Sequence, residues 1–366
     1  DIGDNNIQIA TQITTNEQRK SEVNNNNFIK NVKIVNSTFT SNIQCTKKTR
    51  NRAMRLEFTL NLDKSSKVIA SRINSVKDPV TREEYNNLRS DERSVIVVIE
   101  KALKSLKDAN IEYTIFSDVQ ADPPESNILE STKLSIERSV DGVIGIGGGS
   151  SLDVAKVTAV LSKGQEQLKE IYGIDNIKGD RLPLILIPTT AGTGSEVTPV
   201  SIVTTGKSEK MGVVSNKIIP DAAILDPELT LGLPPQITAA TGIDAMVHAI
   251  EAFTSKNKNN NPISRSLAKK ALRLMGKSIE LAVHNGSDIE ARSNMLLGSM
   301  FAGQAFANSP VAAVHALAYP IGGHFKVPHG LSNALVLPHV LKFNAITKPH
   351  IYSEIAYCVF PNLKGN

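Results

Sequence analysis

The 366-residue chain contains no tryptophan, and aromatic residues make up only 4% of it. An aliphatic core is therefore expected. The 41 Lys and Arg residues, set against 36 Asp and Glu, are not gathered into one basic block interleaved with aromatics, which argues against a nucleic-acid partner. Cysteine is almost absent: Cys45 and Cys358 stand far apart with no metal-type spacing, the usage of a reducing compartment. There is no apolar run near the ~20 residues that span a bilayer, and no basic-then-apolar start. No membrane association is expected, and the expected location is cytoplasmic.

What is present fits a globular protein, with 40% hydrophobic and 21% charged residues. The length allows two domains of substantial core. A net charge of +5 suits a chain that holds a phosphate-bearing cofactor.

Residues 1–92 read as an atypical, Asn-rich stretch, with the run Asn24–Asn27 and no sustained period, and partial disorder is expected there. From Ser94 the texture changes. Val95–Ile99 is a β-branched run of the kind buried on both faces of a sheet, followed by a helical period from Lys101 and a strand from Ile111. A helix is predicted over Ser131–Val140 and a short buried strand from Gly142. That strand empties into Gly147, Gly148, Gly149 and Ser150 at an evident helix start, where bare backbone N–H groups and the helix dipole face an anion. A second strand, Leu182–Pro188, ends in Thr189, Thr190, Ala191, Gly192, Thr193, Gly194, Ser195 and Glu196. Two such loops at the ends of parallel strands make a crevice where open α/β sheets bind ligands. The predicted fold is a Rossmann-like, parallel α/β dinucleotide-binding domain over residues 93–230, followed by an all-helical domain over 231–366, with the boundary at the prolines near Asp226–Pro235.

The helical part carries Asp244 and His248, four residues apart and hence on one helix face, and, further on, His315 and His329. An N3O set of this kind suits a borderline divalent cation such as Zn2+ or Fe2+ better than Ca2+ or Mg2+. Spacing alone leaves core packing of these histidines as the alternative.

Taken in order, Gly147–Lys156, Pro188–Glu196, Asp226–Thr230, Thr241–Glu251 and His315–His339 resemble the iron-containing (group III) alcohol dehydrogenase family, whose architecture is dehydroquinate synthase-like. The resemblance implies that Asp244, His248, His315 and His329 hold Fe2+, or Zn2+ as the alternative. It implies that Gly148, Gly149, Ser150, Asp153, Thr189, Thr190 and Ser195 line a site for NAD, or NADP as the alternative; Gly147, Thr193 and Lys210 complete the expected cofactor set. A small primary alcohol or aldehyde is the implied substrate, and a homodimer or larger homo-oligomer the implied assembly. Glu251, one turn beyond His248, is the candidate for orienting a ligand histidine.

Three departures from the family pattern stand out. The position where some members carry a proton-relaying histidine is Tyr319, so the relay falls to Tyr319, to His324 or to water. No sheet-opening strand with its adenosine-side loop is found before Ser94. The helical domain ends short of the family's usual length. A catalytically impaired remnant, and a glycerol-type or hydroxyacid–oxoacid oxidoreductase on the same scaffold, remain as alternatives.

Overall fold

The computed structural model describes residues 67–73, 102–206, 209–325 and 327–360. Its first layer is a five-stranded parallel sheet of β1 (Lys67–Ile73), β2 (Glu112–Val119), β3 (Gly142–Gly147), β5 (Leu184–Pro188) and β8 (Ala222–Ala223), in the order β2-β1-β3-β5-β8. The central strand β3 is buried at every position. Its side chains alternate between two separate cores, as the period of a strand requires. Val143 joins Leu184 and Leu186 against helix α2 (Gly149–Leu161), while Ile144 and Ile146 join Ile185 and Leu106 on the opposite face. Leu106 belongs to the helical segment 102–108. Both faces are thus covered, which is why β3 and β5 read as continuous apolar runs. Helix α1 (Glu125–Glu137) packs beside α2; its start precedes the predicted Ser131.

Two features differ from the reading of the sequence. A strand does precede Ser94: β1 lies between β2 and β3, within the stretch expected to lack order. The predicted strand Val95–Ile99 lies outside the described residues. There is also a second, three-stranded sheet of β4 (Gly173–Ile174), β7 (Glu209–Val214) and β6 (Val200–Thr205), in which β6 and β7 run antiparallel. β6 alternates buried and half-buried residues, a weak local signal in a segment rich in Thr and Ser.

No strand follows Ala223 among the described residues. Six helices do: α3 (Pro235–Thr254), α4 (Pro262–His284), α5 (Ile289–Asn308), α6 (Ala313–Phe325), α7 (His329–Ala345) and α8 (Pro349–Val359). Their starts carry their own signals. Asn261 accepts from the N–H groups of Ile263 and Ser264 at the head of α4, with Pro262 at its first position, and Asp288 accepts from Ala291 at the head of α5. Helix α3 is surrounded by partners. It shares one core with α4, α5 and α8, and its Val247 meets Val314 of α6 and Val336 and Val340 of α7 in another. No described helix is long and apolar enough to cross a membrane.

The loop after β5 bridges the two layers. Gly194 has φ 61°, and a Cβ there would stand 2.7 Å from the Cα of Gly303 in α5. Only two facing glycines allow this approach of backbone to backbone.

Candidate metal centre and cofactor crevice

The four predicted ligands come from three helices. Asp244 and His248 share one face of α3, His315 lies in the first turn of α6, and His329 opens α7. Gly330 makes the last placement possible, since a side chain at that position would collide with the carbonyl of Ala240 on α3. Asp244, His248 and His315 are buried and bring one donor atom each within 4.8 Å of one another. The Oδ1 of Asp244 lies 3.8 Å from Nε2 of His315 and 3.6 Å from Nε2 of His329. The side chain of His329 is 36% exposed, against 2% for His315 and 4% for Asp244, so the cluster opens outward on the His329 side.

Charge and hydrogen bonding leave these groups able to serve as ligands. Burial acts to raise the pKa of Asp244, but His248, His329, His315 and a hydrogen bond from Asn333 outweigh it and hold the carboxyl below its usual value. Burial pushes His248 down to about 4 despite the attraction of Asp244, and burial lowers His329 as well. Both imidazoles are therefore neutral near pH 7 and have lone pairs to offer. His248 is fixed between the rings of Phe306 and His315, at 4.5 and 4.6 Å, and its buried Nδ1 has no hydrogen-bond partner. Nitrogen and oxygen donors at these separations fit a divalent cation of the Zn2+ or Fe2+ kind.

Glu251 orients His315. Its Oε2 lies 2.7 Å from His315 Nδ1 and accepts the backbone N–H of Ala312 at 2.9 Å, while Oε1 accepts that of Val314 at 2.7 Å. The carboxylate thereby satisfies the open start of α6 and fixes the tautomer that leaves Nε2 facing Asp244. Burial opposes its charge, yet His315 and the two N–H groups keep its pKa below the ordinary value. Glu251→Gln is expected to weaken metal binding by about 10–100-fold, the usual worth of a partner outside the ligand set; competition against a chelator measures it.

The glycine loop lies beside this cluster. Gly147 ends β3 opposite Pro188, and Thr189 donates its N–H to Gly147, so the two strand-end loops emerge side by side. Gly148 caps α2 without a side-chain bond, and no acidic residue occupies the first turn of α2, which suits an anion there. Ser150 Oγ accepts from the N–H of Asp122. Lys210, on β7, pairs with Asp122 at 2.8 Å and donates to Thr204; Asp122 and Lys210 both act on the charge of His329. Gly192 packs against Thr241, the turn of α3 before Asp244.

Asp153 and Ser195 engage each other. Ser195 Oγ donates to Asp153 at 2.6 Å, and the other carboxylate oxygen accepts from Ile202 N–H. Lys156, fully buried, donates to Ser195 Oγ, Thr198 O and Oγ1, and Val200 O. These bonds bind α2 to the second loop. Glu196 is buried beside them, and burial raises it to about 7. Its proton is therefore retained in the fold while the unfolded chain loses it, so the stability it contributes is present below pH 4.5 and lost as pH rises to about 7. Glu196→Gln should gain about 3 kcal/mol on the wild type over that window, at ~1.4 kcal/mol per unit; denaturant melts at several pH values read it directly.

Tyr319 stacks on His329 at 5.5 Å and tilts against His315 at 6.4 Å. His324 is exposed toward the far end of α6. Reading the sequence missed Lys156 as an anchor and Asn333 as a neighbour of the ligands. The spacing His329 to Asn333, again four residues, was the available signal. A broad groove of ≈ 890 Å³ lined by Phe253, Arg265, Lys269 and Tyr352 contains none of these groups.

The model of the family "Iron-containing alcohol dehydrogenase" matches residues 88–227, and that of its C-terminal region matches residues 238–365. The chain belongs to the iron-containing alcohol dehydrogenase family. Among similar relatives, a long-chain-alcohol dehydrogenase of Geobacillus thermodenitrificans is 43% identical over 68% of this chain and 63% of its own length. An NAD-dependent methanol dehydrogenase of Bacillus methanolicus is 36% identical over 73% of this chain and 70% of its own. The solved structure of an alcohol dehydrogenase from Oenococcus oeni superposes with a TM-score of 0.74 at 33% identity, covering 82% of this chain and 74% of that one. The two-layer arrangement, with a parallel sheet followed by helices, is that of the iron-type dehydrogenases.

Proposed function

We propose that the protein is a metal-dependent alcohol dehydrogenase that transfers a hydride between a small primary alcohol or aldehyde and NAD, with Asp244, His248, His315 and His329 as ligands of Fe2+. The carrying observation is that these four side chains, from three helices, converge, with the His248 and His329 imidazoles neutral and His315 held by Glu251, in a chain that also carries a cap-free helix start at Gly148. The NAD-dependent relative supports the choice of cofactor.

A divalent cation supplies Lewis acidity toward an alcohol oxygen, and a nicotinamide accepts the hydride. The protein supplies position and charge. Gly147 to Ser150 offer backbone N–H groups to the pyrophosphate, and the loop Thr189 to Ser195, tied down by Lys156, borders the same crevice. Tyr319 faces the open side of the cluster. Burial, with Asp244, Asp153 and Glu251 nearby, raises its pKa. It therefore keeps its proton near neutral pH and donates a hydrogen bond to the substrate oxygen, rather than acting as a free base.

The test is a panel of primary alcohols and aldehydes with the Fe2+-loaded and Zn2+-loaded full chain, followed through reduced nicotinamide. Turnover with NAD is expected. A folded, metal-loaded protein that moves no hydride to NAD or NADP overturns the reading.

A further inference from the structure

We propose that the groove between the end of α3 and the start of α8 binds a small phosphate-bearing anion, at a site separate from the His cluster and from the loop at Gly147. The groove encloses ≈ 890 Å³, within the ~300–1,000 Å³ usual for small-molecule sites. Its walls come from the last residues of α3, the loop that follows, the first two turns of α4, the end of α7 and the start of α8. None of the four metal-ligand candidates and neither strand-end loop lines it.

Charge and stacking decide what fits. Lys256, Arg265, Lys269 and Lys348 line the groove against a single carboxylate, Glu354. Lys269 takes that carboxylate at 2.9 Å, while Arg265 and His350 add a weaker pull that helps keep its pKa low. Lys256, Arg265 and Lys348 have no ion pair among the described residues. Arg265 is the most constrained of them, with its guanidinium carbon 4.6 Å from the centre of the buried Phe253 ring. Stacking of this kind holds a guanidinium flat and leaves its N–H edge to grip two oxygens of one anion. Its Nε is buried without a partner, and a buried donor calls for an acceptor.

The backbone favours an anion at the same place. Helix α8 starts at the groove with no side-chain cap and no acid in its first turn, so its open N–H groups add positive field. The opposing carbonyl end of α3 is screened, because Asn260 Nδ2 donates to Phe253 O at 3.2 Å and to Ser255 O at 2.6 Å. One carboxylate would leave most of this charge unanswered. A phosphate group brings about two negative charges at pH 7 and enough oxygens for the Arg265 edge and a lysine together.

The chain has no tryptophan, so Tyr352→Trp, on the groove wall, supplies a fluorophore that reads this site and not the Gly147 loop. Inorganic phosphate is titrated into the full chain carrying it, at constant ionic strength set with NaCl, with succinate in a parallel titration. A saturable change with phosphate is expected. Adding Arg265→Gln should weaken it by roughly 10-fold or more, the worth of one hydrogen bond to a charged group, whereas Lys342→Gln, on α7 outside the groove, should leave it unchanged. No saturable change, an equal affinity with Arg265→Gln, an equal loss with Lys342→Gln, or a response that NaCl reproduces overturns the site. Tighter binding of succinate overturns the assignment to phosphate. Should Arg265→Gln not fold, Arg265→Lys keeps the charge without the planar edge, and equal binding by it overturns the proposal. Should the fluorescent variant not fold, calorimetry compares the wild type with Arg265→Gln: loss of a phosphate site is expected, and identical titrations overturn the proposal.

Discussion

His315→Ala will purify without bound metal and will transfer no measurable hydride. The side chain is 2% exposed and its ring is fixed from both sides, by Glu251 on Nδ1 at 2.7 Å and by the stacked ring of His248. Removing a partner of a ligand costs about 10–100-fold in affinity, so removing a ligand itself should cost more than about 100-fold. A second consequence is structural. Glu251 keeps its bonds to Ala312 and Val314 but loses the imidazole that helps hold its charge, so the start of α6 should become less stable as well. Elemental analysis of the purified variant checks the first effect. Exchange protection at Ala312 and Val314 checks the second. Undiminished metal content would show that the cluster is not a metal site.

Lys156→Met is the substitution expected to cost most in stability. Methionine fills nearly the same volume, so packing within α2 is preserved and the loss falls on polar groups. Lys156 Nζ meets Ser195 Oγ, Thr198 O, Thr198 Oγ1 and Val200 O within 3.3 Å, and Asp153 lies 4.0 Å away. Burial lowers its pKa to about 8, against the pull of Asp153 and Glu196, so it is mostly charged at pH 7. Without it Asp153 becomes a half-buried carboxylate with no cation, and the carbonyls of Thr198 and Val200 lose a donor. Breaking one side of a buried charge pair typically costs about 3–5 kcal/mol. Denaturant unfolding should show that loss with an unchanged slope. Because these bonds fix the loop that carries Thr189 to Ser195, cofactor affinity should fall too, measured by quenching or calorimetry with NAD. A variant as stable as the wild type would show that Lys156 fills space and no more.

The sequence by itself determined the local features. The i, i+4 pair Asp244 and His248 lies on one helix face whatever surrounds it, since helix geometry alone puts it there. The glycines at Gly147 to Gly149, the capping residues Asn261 and Asp288 and the apolar runs of β3 and β5 announce turns, helix starts and buried strands over windows of a few residues. The ordered motifs carried the family. Tertiary structure alone decided what depends on residues far apart in the chain. It brought His315 and His329 to α3, set Glu251 on the start of α6, and placed Asn333 against Asp244, His315 and His329. It also put a strand, β1, in a stretch whose composition concealed it, and turned Lys156 into an anchor for Ser195 and Thr198. Local spacing only hints at such residues, as it does for Glu251 after His248 and Asn333 after His329, because each is defined by contacts that span some 40 to 90 positions of sequence. Those contacts exist only once the sheet layer and the helical layer have packed.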